Sequence, residues 1–94
     1  MHCQYVRRNR FSYLFAECWT EVRDVHGPSG TTRNVETLTA CQSVCISEVT
    51  CVAIDWDAYN PYGEKCWIHI SAITGLLPAG GIIHYQLNRA LCPS

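Results

Sequence analysis

Hydrophobic and polar positions alternate near the start of the chain, take up a helical beat in the middle, and alternate again towards the end. Residues 11–21 place Phe11, Tyr13 and Phe15 at every second position, then Cys18 and Trp19, the period of a half-buried strand. Residues 26–32, with Gly27-Pro28-Ser29-Gly30, supply turn conformations and predict a loop. From Asn34 onward Leu38, Cys41, Val44, Cys45 and Val49 fall at helical spacing, with Thr39, Gln42, Ser43 and Glu48 on other faces. Asn34 or Thr37 can accept from the first free N–H groups, and the β-branched and polar residues 47–50 mark the end. A helix of about three turns is marginal alone in water, so packing or covalent links must hold it.

Residues 52–59 then put Val52, Ile54 and Trp56 on one face and Ala53, Asp55 and Asp57 on the other, a strand with one buried and one wetter side. Asn60-Pro61-Tyr62-Gly63 makes a turn, residues 65–71 a returning strand, 75–81 a loop around Pro78, and 82–87 a final strand. The sum is an α+β domain, one short helix packed on an antiparallel β-sheet, over residues 11–94. Residues 1–10, polar and basic without a period, form a flexible N-terminal arm.

Ninety-four residues suit a single core. A formal net charge of −1 argues against nucleic acid as a partner. No apolar run approaches the ~18 residues of a membrane-spanning helix. Seven cysteines are far more than a reduced intracellular domain needs, and predict a disulfide-stapled protein that is secreted or part of a larger extracellular protein. The apolar run after Arg7, Arg8 and Arg10 is shorter than the ~7–15 residues of a signal peptide, so this expectation rests on cysteine chemistry.

Cys41 and Cys45 share one helix face, and their nearly parallel Cα–Cβ directions suit bonds to other elements better than to each other. The simplest geometry links Cys45 to Cys51 and Cys41 to Cys66, leaving Cys18 and Cys92 to join the first and last strands. That is one of ~105 pairings open to seven cysteines. The run Cys41-x3-Cys45-x5-Cys51, Val52-Ala53-Ile54-Asp55-Trp56-Asp57, a hairpin and Cys66-Trp67-Ile68 resembles the central motif of PAN/apple domains. The resemblance spans residues 17–92. It implies a helix stapled to the central hairpin and the nested pairing Cys18–Cys92, Cys41–Cys66 and Cys45–Cys51. Cys3 has no slot in that pattern, and the loops at 27–30 and 76–81 carry no signature of the family.

Catalytic and metal chemistry have thin support in the sequence. His2, His26, His69 and His84 are scattered through different elements, and no G-x-S-x-G turn is present. Cys41, Cys45, Cys66 and His69 lack the tight paired spacing of zinc sites, while Asp55, Asp57 and Asn60 do not match an EF-hand. Asp55 and Asp57 are therefore expected on the solvated side of their strand, with no enzyme activity, metal or cofactor.

Binding surfaces remain. Trp56, Asp57, Tyr59, Asn60 and Tyr62 put rings and hydrogen-bonding groups on one strand and turn, the composition of an interface anchor or a sugar site. Alternation with Ile54 assigns Trp56 to the core, so Tyr59 and Tyr62 are the better exposed candidates. Arg7, Arg8 and Arg10 form a basic patch suited to sulfated glycans or acidic lipids. PAN/apple domains are non-enzymatic extracellular modules that bind proteins or carbohydrates, so the resemblance implies a recognition or adhesion module with a protein or glycan ligand. The alternative is a structural subunit, a homo-oligomer cross-linked through unpaired Cys3.

Overall fold

The computed structural model describes residues 18–71 and 75–91. Among them the chain forms β1 (Trp19–His26), β2 (Thr31–Arg33), α1 (Leu38–Ser47), β3 (Ala53–Trp56), β4 (Cys66–His69), β5 (Leu77–Leu87) and a 3₁₀ turn (Arg89–Leu91). The strands make one antiparallel sheet in the order β1-β5-β3-β4-β2. The α+β architecture expected from the hydrophobic pattern is the one observed.

Helix α1 begins where a capping residue is available: Thr37 is extended, and its Oγ1 accepts from Ala40 N at 3.1 Å. Its far end is closed by Glu48 N–H donating to the Val44 and Cys45 carbonyls. The Arg89 guanidinium then donates to the carbonyls of Cys45, Ile46, Glu48 and Cys51 at 2.9–3.4 Å. A cation there satisfies carbonyls that a helix end leaves unpaired and complements its dipole.

Two disulfides fasten this helix to the sheet. Cys41–Cys66 joins α1 to β4, and Cys45–Cys51 closes the connection into β3, both as geometry and the family resemblance suggested. Cys18 is also disulfide-bonded and fully buried. Cys3 and Cys92 lie outside the described residues, as does the basic arm with Arg7, Arg8 and Arg10. Around the disulfides pack Ile46, Ile54, Trp56, Ile68, Tyr85 and Leu87, and Trp19 meets Tyr85 edge-on with ring centroids 6.5 Å apart.

The structure corrects the sequence reading in several places. Strand β3 is buried on both faces, not one: Ala53, Ile54, Asp55 and Trp56 are all buried. It lies between β4 and β5, and the 27–30 loop covers the face opposite the helix, where Gly27 N donates to Asp55. Gln42, expected on an outer face of α1, is buried, whereas Val49 lies beyond the helix and is 84% exposed.

Strand β1 extends to His26, and β5 begins at Leu77 inside the segment expected to be a loop. There β5 pairs with β1 (Val25↔Pro78, His26↔Leu77), while β3 pairs only with its Ile83–Gln86 part. Proline is tolerated in such a strand segment with a single neighbour. Between Arg23↔Ile83 and Val25↔Pro78 the register shifts, and Asp24 (φ 62°) and Gly81 (φ 86°) take left-handed conformations joined by Gly81 N donating to Asp24 Oδ1 at 2.9 Å. The short edge strand β2 also lies partly in the expected loop, paired along β4.

Candidate functional site

On the sheet face away from α1, three strands bring Asp55, His69 and His84 together. Asp55 of β3 stands directly opposite His84 of β5, and His69 of β4 lies one diagonal away, since its own partner is Ala53. Alternation along each strand turns all three side chains to the same side. Asp55 Oδ1 accepts from His84 Nδ1 at 2.6 Å, and Oδ2 accepts from His69 Nε2 at 2.7 Å and from Gly27 N at 3.0 Å. The imidazole rings are tilted at 53° with centroids 5.8 Å apart. All three residues are at most 3% exposed.

Burial pushes the Asp55 carboxyl up, but hydrogen bonds from His69, His84 and Gly27 outweigh it and hold the group below its ordinary 3.8. The group is therefore a carboxylate that only accepts, so His69 donates from Nε2 and His84 from Nδ1. Their other ring nitrogens make no hydrogen bond among the described residues.

This cluster is absent from the sequence reading, which spread the histidines over separate elements and gave Asp55 to solvent. The overlooked signal is a single polar residue inside each apolar run: Asp55 between Ile54 and Trp56, His69 between Ile68 and Ile70, His84 between Ile83 and Tyr85. A polar residue flanked in this way is placed on the second face of a central strand, where it needs a partner.

Among the described residues, two concavities flank the sheet. A cleft of about 450 Å³ reaches the cluster at Asp55 and is lined also by Asp57, His26, Ser29, Trp67 and Ile82 among others. A second, of about 390 Å³, is lined by Trp56, Tyr59, Tyr85, Ile83, Arg23 and Asp24, together with Leu38, Ala58 and Gly81. Burial and the nearby Glu21 carboxylate push the Tyr85 hydroxyl up, keeping it a neutral donor.

The five aromatic and polar candidates are thus divided. Trp56 is a core residue that also lines the second groove, and Tyr59, 86% exposed, lines it too. Tyr62 is 85% exposed and lines neither concavity. Asn60 holds the turn, donating from Nδ2 to Asp57 Oδ2 at 3.2 Å and accepting from Tyr62 N at 2.7 Å. Asp57 faces the first cleft. Comparisons with protein-family models, with curated proteins and with solved structures find no match. Among the described residues no helix is long and apolar enough to cross a membrane.

Proposed function

We propose that this chain is a non-enzymatic extracellular recognition module of PAN/apple type that takes a protein or carbohydrate ligand in the groove beside Trp56 and Tyr59. The observation that carries the reading is the composition of that groove. An indole, two phenols and the Arg23 and Asp24 side chains line about 390 Å³. Ring faces with charged hydrogen-bonding groups beside them suit a sugar, and the volume suits one or two sugar rings better than a broad protein epitope. The two disulfides between α1 and the central hairpin support the PAN/apple comparison, and they favour an oxidising compartment.

A glycan array and an array of extracellular proteins, probed with the intact chain, test this. Tyr59→Ala should abolish the strongest signal with an unchanged circular dichroism spectrum, and Tyr62→Ala should leave it in place. Retained binding by Tyr59→Ala would remove the groove from consideration, and two blank arrays would count against recognition as the function.

A further inference from the structure

The opposite face of the sheet carries a different chemistry. Two imidazoles and one carboxylate converge from three neighbouring strands, with ligand atoms all within 4.8 Å of one another. We propose that Asp55, His69 and His84 form a binding site for a divalent transition-metal ion of the zinc class, reached from the cleft above the 27–30 loop.

Four observations support it. The donor set is two imidazole nitrogens and a carboxylate oxygen, which suits zinc, nickel, copper or iron(II) and disfavours calcium or magnesium. The ligands stand at the centre of the sheet, on β3, β4 and β5, each of which is paired on both sides, so backbone hydrogen bonding fixes their positions. The carboxylate belongs to the lining of a cleft of about 450 Å³, which gives an ion a route in and leaves room for water or a ligand as a further donor. The fourth concerns protons. His69 Nε2 and His84 Nδ1, the nitrogens that face Asp55, must give up their hydrogens to bind a metal. His69 Nδ1 and His84 Nε2 have no partner among the described residues and can carry those protons instead. Each ring then changes tautomer without changing charge, and the ion meets one carboxylate and two neutral imidazoles.

The metal-free arrangement is a hydrogen-bonded one, with N···O separations of 2.6 and 2.7 Å. An ion held ~2.0–2.1 Å from each ligand atom has to enter between groups now in direct contact, so the rings must part slightly from the carboxylate. The Cys41 and Cys45 thiols cannot compete, because both are tied up in disulfides. This site is independent of the proposed groove, on the other face of the sheet.

The experiment uses the full chain with its disulfides intact, in a His2→Ala background that removes the N-terminal imidazole as an alternative ligand. Equilibrium dialysis against zinc with elemental analysis should give one equivalent per chain, and cobalt(II) should develop the visible absorption of a low-coordinate site. Imidazole ¹⁵N NMR should shift His69 and His84 on zinc addition and leave His26 in place, a readout that needs no variant. His84→Gln should bind at least ~10-fold more weakly. Failure to retain zinc, or shifts confined to His26, would overturn the site and leave a purely hydrogen-bonded cluster.

Discussion

Asp55 and His84 face each other across the β3–β5 pairing and share a 2.6 Å hydrogen bond with almost no access to solvent. The carboxylate is almost sealed from solvent, as are His69 and the Gly27 amide that it also serves. Asp55→Ala should therefore destabilise the metal-free protein by about 3–5 kcal/mol, because several buried donors lose their acceptor together. Asp55→Asn keeps one acceptor oxygen, and a histidine tautomer can turn to accept from the new amide. Its loss should be about half as large. Urea unfolding in the presence of a chelator, with disulfides intact, measures both.

Gly30 lies against the same cluster. A Cβ there would stand 2.9 Å from His69 Cε1 and 3.2 Å from Trp67 Cβ, whereas one at Gly80 would meet nothing within 4 Å. The His69 ring is pinned by Asp55 and cannot swing away freely. Gly30→Ala should cost about 1–3 kcal/mol through forced displacement. Gly80→Ala should change the thermal midpoint little, and equal effects in the two variants would show that the loop yields easily.

The two helix staples close loops of unequal length, with sequence separations of 25 and 6. Chain entropy assigns about 3.5 kcal/mol to Cys41–Cys66 and about 2.4 kcal/mol to Cys45–Cys51. The double variant Cys41→Ala, Cys66→Ala should thus be the less stable of the two paired replacements in denaturant. Full reduction should unfold the domain, and a dispersed NMR spectrum in excess reductant would contradict that.

Arg33 of β2 grips Glu48 at the end of α1 with two hydrogen bonds, Nε to Oε2 at 2.8 Å and Nη2 to Oε1 at 2.9 Å. These bonds hold the Glu48 carboxyl below its ordinary 4.5, against a smaller opposing effect of burial. A lowered folded-state value stabilises the protein above pH 4.5, and that contribution disappears as the pH falls through the folded-state value. Arg33 stays charged throughout. Wild type should exceed Glu48→Gln in melting temperature near neutral pH, and the gap should close in acid. Since each side chain is 33% exposed, added salt should narrow the gap as well.

Elements whose cause is local were legible in the sequence. Thr37 announces its helix by its capping chemistry, and the spacing of Cys41, Cys45, Cys51 and Cys66 anticipates both observed bridges. What escaped depended on which strands become neighbours. Alternation gives Asp55 two possible environments, and only the insertion of β3 between β4 and β5 decides that its second face is also covered. Pro78, Gly80 and Gly81 read as loop residues because their local preferences are those of a loop. Pairing with β1 overrides those preferences at Pro78, and the irregular register near Asp24 accommodates the glycines. The histidine cluster was invisible for the same reason: its three members are separated by 14 and 15 residues and meet only through sheet order.

Sheet order also makes β5 the strand on which the others depend. It is the last of the five in the chain, yet it sits between β1 and β3 and is the neighbour through which β1 joins the sheet. Without it β1 has no partner in the sheet, Asp55 lacks His84, and the β3 edge lies open, a form that invites strand pairing with other chains. A lesion in β5 therefore strikes three elements at once, where one in the edge strand β2 strikes only its pairing with β4.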